Sequence, residues 1–153
     1  MNICIIGATS LSPQKKNLSV RGIGGVEGYI SDQIGFLSCK NIQVDFVGKI
    51  FNYYPLNNLR YFEIQKKVSS THRFLINLMI KTQTMKIKTK TIIHAHRPDH
   101  LFCVSLFKKN PCILTIHGQQ AITVKSRKGV LTGLIYSFME YFALRKAKYL
   151  IVT

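Results

Sequence analysis

Three short stretches carry side chains suited to chemistry. The first, His94-Ala95-His96-Arg97-Pro98-Asp99-His100, places three histidines within seven residues. On an extended strand, His94 and His96 point to one face. An imidazole changes charge near neutral pH, so such a pair suits hydrogen bonding to a polar substrate, proton transfer or metal ligation. Metal ligation is the poorest of these, because the stretch itself contains no cysteine and Asp99 is its only acid. Packing or substrate contact is the commoner role for histidines where a strand turns into a helix. The second stretch, Thr115-Ile116-His117-Gly118-Gln119, closes an apolar run with a His-Gly pair. Gly118 permits a sharp turn that leaves His117 open to a cleft. From there an imidazole can serve a hydroxyl or a developing charge, or it can be a structural histidine satisfied by its neighbours. The third, Gly22-Ile23-Gly24-Gly25-Val26-Glu27, precedes a helical pattern. Glycines let a ligand approach the backbone, and a helix start offers free N–H groups and a positive dipole end to phosphate or carboxylate. The loop is not a dinucleotide fingerprint, because it lies some 15 residues past the preceding strand. A flexible loop closed by a tight helix start is the alternative.

These groups must be positioned by strands and helices that alternate along the chain. Residues 2–7 form a short apolar run ending in Gly7, the pattern of a buried strand, and 8–21 are loop-like. Val26, Ile30, Ile34 and Leu37 recur at helical spacing. Residues 42–48 and 59–64 read as strands, 68–82 as a helix, and 91–95 as a strand. Asp99 is placed to cap a helix running to about Lys109. Residues 112–116 read as a strand, 130–147 as a helix and 149–153 as a final strand. The last helix has Leu131, Leu134, Ile135, Phe138, Tyr141 and Phe142 on its apolar side, the pattern of a core helix with a basic end; a partner or membrane surface is the sharper alternative. Short apolar strands alternating with helices predict an α/β fold: a doubly wound, mostly parallel Rossmann-like sheet with helices on both faces. Ligands then bind at the carboxyl ends of the strands, where all three stretches fall.

The chain has 153 residues, 46% of them hydrophobic, which excludes disorder for most of its length and suits one domain. Cys4, Cys39, Cys103 and Cys112 show no metal-like spacing. Three of them sit in apolar runs, which predicts buried thiols and a reducing, cytoplasmic setting. The start lacks the basic region of a signal peptide, and the longest apolar stretch, 130–144, is short of the roughly 20 residues of a membrane span. The 22 Lys and Arg outnumber the 6 Asp and Glu, a net charge of +16. That excess points to anionic partners: a phosphate-bearing substrate, an anionic membrane surface or nucleic acid. Arg60-Tyr61-Phe62 and His72-Arg73-Phe74 interleave basic and aromatic residues, but no helix-turn-helix, zinc finger or RNP pattern is present, so nucleic acid is the weakest of the three.

In order and spacing, four pieces resemble the N-terminal domain of family-4-like glycosyltransferases of the GT-B fold. They are Gly24-Gly25-Val26-Glu27, Ile92-Ile93-His94-Ala95-His96, Leu114-Thr115-Ile116-His117-Gly118, and Glu140 leading to Leu144-Arg145-Lys146-Ala147-Lys148-Tyr149-Leu150-Ile151-Val152-Thr153. The resemblance covers nearly the whole chain. It implies a retaining transfer of a sugar from a nucleotide-sugar donor to a lipid or saccharide acceptor. Gly24 and Gly25 would approach the donor diphosphate, and His117 would hydrogen-bond the transferred sugar as the catalytic residue. Glu27, His94, His96, Arg97 and Gly118 would border the cleft. It implies no cofactor and no metal, because backbone amides and cations stabilise the leaving diphosphate. It also implies peripheral contact with the inner membrane face. Where the family continues through a serine into a donor-binding domain, this chain ends at Thr153. By that resemblance the chain would be a fragment or the product of a truncated gene, or else half of a split enzyme whose separately encoded C-terminal domain is a partner, and the chain alone would be inactive. A basic nucleic-acid-binding module and a non-catalytic remnant domain remain the alternatives.

Overall fold

β-Branched and aliphatic runs form the strands, and the stretches between them form the helices. The computed structural model describes residues 1–11, 25–50, 57–64, 71–118 and 120–153. In chain order the elements are β1 (Asn2–Leu11), α1 (Gly25–Cys39), β2 (Gln43–Ile50), β3 (Leu59–Glu63), α2 (Thr71–Thr84), β4 (Ile92–Ala95), α3 (Pro98–Ser105), β5 (Cys112–Ile116), α4 (Gln120–Lys128), α5 (Val130–Lys146) and β6 (Tyr149–Val152). All strand pairs are parallel, in one six-stranded sheet of order β3-β2-β1-β4-β5-β6. The expected doubly wound α/β sheet is therefore present. The order reverses between β1 and β4, and that reversal opens a crevice outside their carboxyl ends.

The side-chain alternation of β1, β2 and β4 divides the core between two faces. Ile3, Ile5, Val44 and Phe46 meet Ile30, Ile34 and Leu37 of α1 on one face. Cys4, Ile6, Val47, Ile93 and Ala95 meet Phe74 and Leu78 of α2 and Leu101 and Val104 of α3 on the other. Cys4, Cys103 and Cys112 are buried, Cys39 is exposed, and all four are free thiols. At the outer side of the sheet, the buried Asp45 of β2 receives the Arg60 guanidinium fork at 2.7 and 2.8 Å.

Several boundaries differ from the sequence expectation. β1 continues through residues 8–11, which read as loop because Ala8, Thr9 and Ser10 are small or polar; main-chain pairing of Ser10 and Leu11 with Lys49 and Ile50 carries the strand on. The register shifts between Ile6 and Ser10, opposite Gly48. A Cβ at Gly48 would lie 2.5 Å from the Gly7 carbonyl oxygen, so the close approach of β1 and β2 at the crevice requires glycine here. Asp99 does not cap α3. The cap position is Arg97, Pro98 opens the helix, and Asp99 sits inside the first turn. The helix stops at Ser105, short of Lys109. α4 was not foreseen.

The core-helix expectation for α5 is corrected as well. The helix buries Gly133, Tyr136 and Ala143, packing on α3 and α4, while Leu131, Leu134, Ile135, Phe138 and Tyr141 are exposed. The small residues face inward because Gly133 lies against Lys125 of α4, where a Cβ would come within 2.6 Å. Among the described residues, no helix is long and apolar enough to cross a membrane.

Candidate functional site

The crevice edge carries a row of polar side chains on the sheet face that α1 covers. Ile5, whose side chain packs under α1, pairs in register with His94, and His94 pairs with Ile113. Alternation then puts His94 and His96 from β4, and Thr115 and His117 from β5, on that face. Thr153, just past β6, continues the row across the sheet. Above it, α1 presents Tyr29 and Gln33, four residues and so about one turn apart.

These side chains are joined end to end. His94 Nε2 lies 2.8 Å from Thr115 Oγ1. The Gln33 amide bridges the two β4 histidines: its Nε2–H donates to His94 Nδ1 at 2.7 Å, and its Oε1 accepts from His96 Nε2–H at 3.0 Å. His96 Nδ1 is 3.3 Å from His117 Nε2, and His117 Nδ1 is 2.8 Å from Thr153 Oγ1. The rings also stack, His94 on His96 at 4.5 Å and His96 on His117 at 5.6 Å between centroids. The Tyr29 ring meets His96 and His117 edge-on at 5.5 and 5.6 Å.

Burial sets the charge of this row. It pushes the His94 pKa down to about 4 and that of His96 to about 3, and a proton on any neighbouring imidazole lowers both further. Partial burial lowers the His117 pKa as well. At pH 7 all three rings are neutral, each with one N–H donor and one bare nitrogen acceptor. That is the complement of a hydroxyl, which also donates once and accepts. The inner histidines are satisfied by Gln33 and Thr115, whereas the His117–Thr153 end is exposed and open to exchange with a ligand.

On the opposite face lies a second polar group. Arg97 grips Asp99 with a fork at 3.0 and 2.6 Å, and Asp99 Oδ1 also accepts from the His100 backbone N–H at 3.1 Å. Burial opposes ionisation of Asp99, but its His100 and Arg97 neighbours hold the carboxyl below its ordinary value. The His100 ring is wholly buried beside Phe74, and neither of its ring nitrogens finds a hydrogen-bond partner among the described residues. Its pKa falls to about 4 through burial.

No protein-family model matches the chain, and no curated protein sequence matches it either. What the chain can do is therefore read from its own residues. Of the expected site residues, the fold brings His94, His96 and His117 into one row. Gly118, with φ of 80°, makes the turn that leaves His117 at the crevice rim. The Arg97 side chain is committed to Asp99. Gly25 opens α1, Gly24 lies outside the described residues, and so does the side chain of Glu27. Among the described residues, no three His, Cys, Asp or Glu side chains are grouped to hold a metal ion. Phe74, one of the aromatics offered for base stacking, is buried in the core. Sequence reasoning missed Tyr29 and Gln33, and it named Thr115 and Thr153 within its stretches without giving either a role in the site. The period of two from Thr115 to His117 and the helical spacing of Tyr29 and Gln33 were the available signals.

Proposed function

We propose that this chain forms the acceptor-side half of the cleft of a retaining glycosyltransferase, in which a nucleotide-sugar presents its sugar to His117. The observation that carries this reading is the neutral, half-exposed His117 on the crevice edge of a β3-β2-β1-β4-β5-β6 sheet, whose Nδ1 meets the exposed Thr153 hydroxyl, a contact that a sugar hydroxyl can replace. A neutral imidazole offers a sugar hydroxyl one donor or one acceptor without competing for the diphosphate as a counter-charge. The diphosphate would lie nearer the α1 N-terminus, since α1 is the helix that follows β1 in a parallel sheet. Gly24 and Gly25 would admit it, and its charge would be met by amides and by the basic surface rather than by a metal. His94 and His96 would not touch the sugar; their polar atoms are spent within the row. The exposed apolar stripe of α5, ending in Arg145, Lys146 and Lys148, would take the lipid acceptor's membrane or a donor-binding partner domain.

The test is a titration of isotope-labelled chain with a panel of nucleoside-diphosphate sugars, read at the ring signals of His96, His117 and Tyr29. The expected result is a saturable shift at those three rings with at least one donor, weakened about tenfold by His117→Ala, the loss of one good hydrogen bond. If every donor leaves the row unmoved, or if His117→Ala binds as well as the parent, the reading fails.

A further inference from the structure

The row of imidazoles has a direction, and one residue outside it sets that direction. A neutral imidazole passes a hydrogen bond from one nitrogen to the other, because donating at one end requires accepting at the other. A primary amide does the same between its NH2 and its oxygen. With Gln33 Nε2 toward His94 and Oε1 toward His96, every proton is assigned in turn. His94 keeps its proton on Nε2 and donates to Thr115. His96 keeps its proton on Nε2 and donates to Gln33, leaving Nδ1 as an acceptor. His117 must then donate from Nε2 to His96 and accept at Nδ1 from the Thr153 hydroxyl.

Turning the Gln33 amide over reverses each of these bonds without moving a ring. Thr115 donates to His94, His94 Nδ1 donates to the amide oxygen, and the amide NH2 donates to His96 Nε2. His96 Nδ1 donates to His117 Nε2, and His117 Nδ1 donates to Thr153. The Thr153 hydroxyl is then left to donate to the Ile116 carbonyl, 3.4 Å away. The exposed nitrogen of His117 differs between the two orders. In the first it is a lone pair that takes a hydroxyl proton. In the second it is an N–H that serves an oxyanion.

We infer that Gln33 is a positioning residue that sets, through His96, which nitrogen of His117 carries the proton and hence whether the crevice greets a ligand with an acceptor or a donor. Gln33 itself is turned to the histidines with both amide atoms and needs no contact with ligand. The inference concerns the free protein and does not depend on sugar transfer.

Two substitutions push the row in opposite ways. Gln33→Glu presents only acceptors to the two β4 histidines. His94 must move its proton to Nδ1, while His96 and His117 keep theirs on Nε2. Gln33→Lys presents only donors. His94 keeps its proton on Nε2, while His96 and His117 must shift theirs to Nδ1. Long-range proton–nitrogen spectra of histidine-labelled protein near pH 8 read each ring's tautomer directly, and far-ultraviolet circular dichroism confirms that each variant is folded. The expected change is about tenfold or more in tautomer ratio at the named ring, the weight of one buried hydrogen bond made rather than lost. A folded Gln33→Lys protein whose His117 remains Nε2-protonated overturns the inference. Should that variant not fold, Gln33→Arg, which also presents only donors, takes its place: His117 moved to its Nδ1 tautomer supports the inference, and His117 still protonated on Nε2 overturns it.

Discussion

Acidification from pH 7 to pH 5 should cost this fold much of its stability, with melting temperature falling by about 10 °C for each pH unit at the steepest point. The cause is three buried imidazoles. His94, His96 and His100 have folded-state pKa values of about 4, 3 and 4, against 6.5 for an ordinary histidine. Folding therefore holds these groups neutral over a range in which the unfolded chain protonates them. The unfolded state binds more protons, so stability rises with pH across this window. It is fully present above about pH 6.5 and is lost on the way down toward pH 4. Each histidine contributes a slope of about 1.4 kcal/mol per pH unit, so three contribute about 4. That compares with the roughly 5–15 kcal/mol of total stability of ordinary domains. Thermal melts followed by circular dichroism between pH 7.5 and 4.5 measure it, and a melting temperature flat down to pH 5 would show that burial does not hold these rings neutral. His100→Leu is the informative variant. It removes one proton from the slope, and at pH 7.5 it should leave the protein as stable or more so, because a buried donor without a partner is exchanged for an apolar group of similar size.

Gly48→Ala should destabilise the protein by about 3 kcal/mol or more, beyond ordinary overpacking. The added methyl would stand 2.5 Å from the Gly7 carbonyl oxygen and 2.6 Å from the Phe46 ring. The ring cannot swing aside, because Phe46 is wholly buried under α1, and the carbonyl belongs to the β1 backbone where its register shifts. Relief requires β1 and β2 to part at the edge where the crevice begins. Gly28→Ala and Gly35→Ala, on α1 with open space around them, are the controls and should add about 0.5–1 kcal/mol each. Chemical denaturation gives all three numbers. A Gly48→Ala midpoint close to the parent's would mean that the two strands are less tightly opposed than they stand.

The division between what could be read from the chain and what could not follows from the range of the forces involved. Ile3 to Ile6 and Cys112 to Ile116 announce buried strands because a parallel sheet covered on both faces asks for nothing but apolar side chains. The shared face of His94 and His96 was equally plain, since alternation along a strand is local geometry. Gln33 was not legible: on its helix it is one polar residue among several, and only the stacking of α1 over β4 reveals what its two amide atoms meet. Thr153 joins the row only because β6 pairs in register with β5. The α4 segment has no apolar stripe and takes its place from α5, through the approach of Gly133 to Lys125. The α5 helix misled in the opposite sense, because its densest apolar side is the one left exposed. Asp99 has the residue type of a cap, but Arg97 and the His100 amide claim it first.

The β6 strand, which among the described residues pairs with β5 alone, has residues exposed on both faces and lies at the edge of the sheet. Tyr149, Leu150 and Val152 there, and Leu131, Leu134 and Phe138 on α5, give the molecule an adhesive side. A net charge of +16 works as its dispersant, since like-charged copies repel before such surfaces meet. That repulsion reaches about 10 Å at 0.1 M salt and only about 3 Å at 1 M. For this protein, therefore, ionic strength acts as a solubility dial, and dilute buffer is the condition that keeps its molecules apart.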